Sequence, residues 1–244
     1  MEGATISCGR KELGHLAEKA EKDYTELIRY VEKNILDGTF SLGDRLPPER
    51  DLSTMLNISR SAVREGIRIL EVIGVVYSLQ GSGNYIANYY DQTLTQIMTM
   101  MFALEKMSGE ELREYRYAIE LQALTLAVAR ITERDKLKLR RCLKEMETSD
   151  DPLVRAENDK LLHHTIVEAS GNRLVIANYH ALNSILQRQI RDVRSRVEMH
   201  SPDEARRFRR THRELVEAVC EGNADSARRA LDAHFGLVMD NIDT

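Results

Sequence analysis

Residues 46–86 read LPPERDLSTMLNISRSAVREGIRILEVIGVVYSLQGSGNYI, from Leu46 to Ile86. Two short helical patterns meet at a tight break, and two strand-like runs follow around a glycine-rich turn. Pro47 and Pro48 cannot lie inside a helix, but proline suits a helix's first turn. Leu52, Met55 and Leu56 then give an apolar face at i, i+3, i+4 spacing. Asn57 and Ile58 make the break. Ser59 is the expected N-cap, because its hydroxyl can accept from a free backbone N–H. The second helix carries Val63, Ile67 and Leu70 on one face, widened by Ile69 and Ile73. Arg60, Arg64 and Arg68 form a separate i, i+4, i+8 stripe. Residues 75–79 and 84–86 read as strands around Gln80-Gly81-Ser82-Gly83.

Three arginines at helical spacing also describe an ordinary solvated face. The order of helix, turn, arginine helix and glycine-rich hairpin points instead to a winged helix-turn-helix. Ser61 and Ala62 are small and let the backbone approach DNA. Guanidinium groups reach phosphates or the guanine edge in a major groove.

The segment resembles the DNA-binding domain of the GntR family of bacterial transcription regulators. The residues that carry the resemblance are Gly38, Gly43, Leu46-Pro47-Pro48-Glu49-Arg50, Ser59-Arg60-Ser61-Ala62-Val63-Arg64-Glu65 and Gly81-Ser82-Gly83. The resemblance implies DNA contacts from Arg50, Arg60 and Arg64, helped by Ser59, Ser61, Gly81 and Ser82. Three positions depart from the family pattern. Ala62 stands where a hydroxyl is usual, and Asn84 stands where the wing has threonine. Gly66 replaces alanine, at a helix cost of roughly 1 kcal/mol.

The chain has 244 residues, enough for one large or two small domains, with 42% apolar residues and no tryptophan. Four prolines among long periodic stretches indicate a mainly α protein. A net charge of −4 excludes a globally basic nucleic-acid coat, so DNA affinity must come from a local patch, doubled in a dimer. Cys8, Cys142 and Cys220 are odd in number and lack C-x-x-C spacing, which fits reduced thiols and a cytoplasmic setting. No run approaches the ~18 apolar residues of a membrane span, so no membrane partner is expected.

Residues 1–22 are polar and glycine-interrupted and read as a flexible arm. A winged helix-turn-helix domain with a small β-hairpin wing is expected over 23–87, opening on a helix with Leu27, Ile28, Val31 and Ile35. Residues 88–93, NYYDQT, have no period and read as a linker. Residues 94–244 read as an all-α bundle of six to seven helices. Their starts are marked at Ser108-Gly109-Glu110-Glu111, Thr132-Glu133-Arg134-Asp135, Pro152 and Ser201-Pro202-Asp203-Glu204. A first helix is expected near 94–104 and a long one over 174–197.

Within that bundle Asp159 and His163 are at i, i+4 and share a face. His212 and His234 lie on the last two helices. Three imidazoles and a carboxylate suit zinc, with nickel or manganese as alternatives. By spacing alone they are equally ordinary histidines. His164 points about 100° away from His163 round the helix. His15, His180 and His200 have no partner in the pattern.

A GntR-type head followed by six or seven helices resembles the FadR subfamily, whose effector domain is the FCD domain. The matching residues are Asp159 and His163, then Ile166 and Ala169-Ser170-Gly171-Asn172. They continue with His212-Arg213-Glu214-Leu215, Ala218-Val219, Gly222-Asn223, Ala227, Ala230 and His234. The resemblance implies a divalent metal, zinc above all, on Asp159, His163, His212 and His234. It also implies a small organic acid effector at the ion's open positions. Arg116, in Glu114-Tyr115-Arg116-Tyr117-Ala118-Ile119-Glu120, is the expected effector-binding residue, and an i, i+4 salt bridge to Glu120 is the other reading of it. The expected function is a homodimeric repressor on a palindromic operator of double-stranded DNA, controlled by that acid. Two alternatives stand beside it: a metal-dependent hydrolase or lyase carrying a winged helix, and a regulator whose metal is purely structural.

Overall fold

In the computed structural model, which describes residues 23–184 and 202–240, the first apolar stripe forms α1 (residues 23–36). Leu27 and Val31 on that stripe are fully buried. The expectations for residues 1–22, for the helix beyond 184 and for Ser201 lie outside the described residues. By its contacts the chain divides after Thr93 into two units.

In the first unit, α2 (Glu49–Leu56) begins after Pro48 and ends at Asn57, which adopts the left-handed conformation at φ 51°. Only Leu52 of its expected apolar face is buried. Met55 is exposed, because an eight-residue helix turns one narrow edge to the core. α3 (Arg60–Val72) starts at Ser59, whose hydroxyl accepts from the Ala62 amide at 3.1 Å. Val63, Ile67 and Leu70 pack into a core with Leu27, Val31, Leu46, Leu52, Val76 and Ile86. Ile73 caps the end of the helix with more than a third of its surface exposed and does not widen the buried face.

Gly66 faces α1 so closely that a Cβ there would lie 2.8 Å from Leu27 Cδ2 and 3.2 Å from the Tyr24 carbonyl oxygen. The missing methyl is what lets these two helices cross. The wing is an antiparallel pair, β1 (Val76–Leu79) and β2 (Gly83–Ile86), with Leu79 opposite Gly83. Residues 88–93 do not run free. The Tyr89 amide donates to the Gly74 carbonyl at 2.8 Å, and α4 (Tyr90–Glu105) begins inside the stretch expected as a linker.

In the second unit, α5 (Gly109–Arg130) and α6 (Glu133–Thr148) each open on a reciprocal capping box, Ser108 with Glu111 and Thr132 with Asp135. α7 (Pro152–Ala169) has Asp151 as N-cap and proline in its first turn. α8 (from residue 173) follows, then α9 (Pro202–Glu221) and α10 (Ala224–Asp240). With α4 these make seven helices among the described residues of the bundle. One core joins Leu124, Leu139, Leu162, Leu215 and Phe235 across α5, α6, α7, α9 and α10. A second joins Met98, Ile119, Val167, Tyr179 and Leu182 across α4, α5, α7 and α8. α5 and α7 contribute to both cores, and the polar cluster described next grows on their shared face.

Candidate metal centre and nucleic-acid interface

Asp159 and His163 sit one turn apart on α7, His212 on α9 and His234 on α10. All four are buried, His212 completely. The fold brings this expected set together. One ring nitrogen from each of the three histidines lies within 4.8 Å of the others. Asp159 Oδ1 is 2.7 Å from His212 Nε2 and 3.8 Å from His163 Nε2.

The outer partners determine which nitrogen faces the centre. His212 Nδ1 donates to the Phe208 carbonyl at 3.0 Å, so its Nε2 carries the lone pair. His163 Nδ1 lies 2.6 Å from Glu120 Oε2 and donates to that carboxylate. The Thr211 hydroxyl donates to the Phe208 carbonyl at 2.8 Å, which leaves its oxygen to accept from His234 Nδ1 at 3.4 Å. Each imidazole is therefore held from behind with Nε2 turned inward, as metal-ligating histidines are. Among the described residues the Nε2 atoms of His163 and His212 have no hydrogen-bond partner. A lone pair and a carboxylate oxygen 2.7 Å apart repel each other unless a proton or cation lies between them. The donor set fits a borderline divalent ion.

Glu120 and Arg116 complete the surroundings. Arg116 Nε donates to Glu120 Oε1 at 2.5 Å, with both side chains buried. Burial pushes the Glu120 carboxyl up, but the Arg116 guanidinium and His163 outweigh it and bring it down to about 2. Burial lowers His234 well below the ordinary histidine value, and the neighbouring His212 and His163 add to this, so its ring is neutral. Burial, then the nearby Glu120 carboxylate, raises the Tyr179 hydroxyl, which stays protonated. Arg116 also lies 5.5 Å over the Phe235 ring. The i, i+4 ion pair between Arg116 and Glu120 is present, but it is buried and not the surface salt bridge expected as the other reading of Arg116. Glu120, Thr211, Tyr179 and the Phe208 carbonyl were not singled out by motif. Only the four-residue spacing of Glu120 from Arg116 pointed to any of them.

In the first unit Arg50, Ser59, Arg60, Ser61 and Arg64 are all exposed along α2 and α3. Ser59 and Ser61 share a hydrogen bond of 2.9 Å between their hydroxyls. Arg64 Nε donates to Glu49 Oε2 at 2.8 Å, a link between α3 and α2 that steadies the guanidinium. At the wing, Gly81 has φ 75° with open space around it, and the Ser82 hydroxyl lies 2.6 Å from Tyr85 Oη. Asn84, the unusual wing residue, accepts from the Ser78 hydroxyl at 2.7 Å across the hairpin.

One arginine escaped the motif reading. Arg45 bridges to Tyr85 beside the wing, and its Nε lies 2.9 Å from where a Cβ on Gly83 would be. It lines a groove with Pro47, Pro48, Ser82 and Asn84, between the wing and the start of α2. Its position beside the LPPER run was the signal available.

Residues 23–86 match the profile of the bacterial regulatory proteins of the gntR family, and residues 111–237 match the FCD domain. A protein of Escherichia coli (strain K12), named as a regulatory protein of the L-lactate dehydrogenase operon, is 31% identical over 87% of this chain and 83% of its own. The HTH-type transcriptional regulator LutR of Bacillus subtilis (strain 168) is 28% identical over 84% of this chain and 94% of its own. The Glc operon transcriptional activator of Escherichia coli (strain K12) is 25% identical over 87% of this chain and 85% of its own. Among solved structures, Streptococcus agalactiae GntR superposes with a TM-score of 0.58 at 23% identity, covering 91% of this chain and 99% of that one, a likeness of fold.

Proposed function

The chain belongs to the GntR family of bacterial regulatory proteins, with an FCD domain behind its DNA-binding head, and from that premise we propose a repressor controlled by a small 2-hydroxy or 2-keto carboxylate. It is a DNA-binding transcriptional regulator of a family whose members are not enzymes, so the hydrolase or lyase alternative is set aside.

The observation that carries the effector class is the inward convergence of three imidazole Nε2 atoms and Asp159 beside the buried Arg116–Glu120 pair. Asp159, His163, His212 and His234 would hold a divalent ion, zinc first, with nickel or manganese as alternatives. When bound, such an ion supplies Lewis-acid positions for a carboxylate and a neighbouring hydroxyl or keto oxygen. Two carboxylates, Asp159 and Glu120, face one guanidinium, so the set is one negative charge in excess. A divalent ion leaves one positive charge over, which a single carboxylate group neutralises. Arg116 gives Nε to Glu120, and an arriving carboxylate would meet the rest of its guanidinium. The name of the Escherichia coli relative ties that protein to an L-lactate dehydrogenase operon, and lactate has this pairing of carboxylate and hydroxyl.

On the DNA side, Arg50, Arg60 and Arg64, with Ser59, Ser61, Gly81 and Ser82, would meet one half-site. A homodimer would place two recognition helices about 34–36 Å apart on a palindromic operator. Effector binding would change operator affinity by ~1–3 kcal/mol, reciprocally with DNA. A protein working on the genome places this activity in the cytoplasm.

The test is fluorescence anisotropy on DNA from the protein's own upstream region, with a panel of 2-hydroxy and 2-keto acids, before and after metal stripping. The expected result is specific binding weakened by one acid only while metal is present. Indifference to every acid and to stripping would leave the metal a structural role alone. The relative named as an activator supports a second outcome, in which the acid leaves DNA bound and raises transcription.

A further inference from the structure

α7 carries metal-ligating residue types on a second face. His164 and Glu168 are at i, i+4 there, and His180 reaches them from α8. The two imidazoles stack with centroids 5.0 Å apart and planes 28° apart. Both Nε2 atoms turn to the same carboxylate oxygen. Glu168 Oε1 is 3.1 Å from His180 Nε2 and 3.9 Å from His164 Nε2. His180 Nε2 is a buried atom without a hydrogen-bond partner among the described residues, despite that approach. One ligand atom from each residue falls within 4.8 Å of the others. His180, without a partner in the sequence pattern, meets His164 and Glu168 because α8 packs against α7.

We propose that His164, Glu168 and His180 form a second site for a borderline divalent metal ion, distinct from the cluster at Asp159. Two imidazoles and a carboxylate are the ligand set of open zinc sites, which leave a fourth position for water. Ligand atoms round a tetrahedral ion with bonds of ~2.1 Å stand about 3.4 Å apart. The separations of 3.1 and 3.9 Å to Glu168 Oε1, with ligand atoms all within 4.8 Å of one another, bracket that distance. The three side chains are each between a third and a half exposed, so an ion can enter from water. Lys138 and Lys160 act on His164 with like charge, which makes the site weaker than the buried one. An ion here would tie α7 to α8 at the residue next to Tyr179, whose hydroxyl interacts with Arg116.

The test is equilibrium dialysis of the full-length chain against Zn²⁺ or Ni²⁺, followed by metal analysis. Wild type should take up two ions per chain, the second more than about tenfold weaker than the first. His180→Ala and Glu168→Gln should each lose the weaker ion and keep the tighter. Both positions are partly exposed, and circular dichroism checks that each variant folds. Added Ni²⁺ should also raise the melting temperature of metal-loaded wild type and leave that of His180→Ala unchanged. One ion in wild type that both variants keep, or two ions retained in both variants, overturns the proposal. One weakly bound ion in wild type that His180→Ala removes would instead count against the reading of Asp159, His163, His212 and His234.

Discussion

Glu120 is the residue on which the buried cluster depends. Its two oxygens face Arg116 and His163, and neither partner has solvent to fall back on. Glu120→Ala would leave an uncompensated buried guanidinium, at a cost of roughly 3–5 kcal/mol read from the urea midpoint. A loss under ~1 kcal/mol would show that Arg116 finds another partner. Glu120→Gln keeps the shape but weakens the orientation of His163, and metal affinity should fall about 10–100-fold. In the head, Arg64 and Arg45 are expected to separate by what they read. Arg64→Ala should cost ~1–3 kcal/mol on the operator and relax sequence choice at one position. Arg45→Ala, beside the wing, should weaken all sequences alike and reduce the salt slope by about one. Equal effects of the two on unrelated DNA would place Arg64 on phosphate.

Elements meet where side chains are missing. In an isolated helix Gly66→Ala would stabilise by about 1 kcal/mol. Against α1 the added methyl has to displace Leu27, which is fully buried, and press on the Tyr24 carbonyl. Overpacking of this kind costs ~1–3 kcal/mol, so the variant should be net destabilised in chemical denaturation. A gain in stability would mean that α1 shifts freely. Gly74 is a stricter case. It has φ 80°, and a Cβ there would fall 2.5 Å from the Tyr89 carbonyl carbon. Backbone cannot yield as a side chain can, and that close approach is what brings the stretch expected as a linker against the head.

At the scale of the molecule, the centre ties three helices that are otherwise joined by aliphatic packing. Asp159 and His163 come from α7, His212 from α9 and His234 from α10, and each helix also serves the core of Leu162, Leu215 and Leu231. Metal that binds the folded bundle alone stabilises it by about 2.7 kcal/mol at a hundred times its dissociation constant. Stripping with a chelator should therefore lower the melting temperature, and adding metal back should restore it. Asp159→Ala with His212→Ala should remove the larger, tighter part of this response and leave only the weaker part that depends on His180. An undiminished response in the double variant would locate the tightly bound, stabilising ion elsewhere.

Much of this protein was legible in its sequence because the signals are local. Apolar spacing, proline and capping residues mark where α2, α3, α5, α6 and α7 begin, and Ser59, Ser108 and Thr132 cap as their types dictate. The order of α2, α3 and the wing is continuous in the chain, so the reading head could be recognised from one stretch. Asp159 and His163 share a face by helical geometry, but only packing decides that His212 and His234 arrive there. The rest was decided by tertiary structure alone. Glu120 supports His163 from forty-three residues away, His180 meets His164 across a helix boundary, and Gly66 is required by a neighbour rather than by its own helix. Each depends on a distance between elements, and no spacing along the chain encodes that distance.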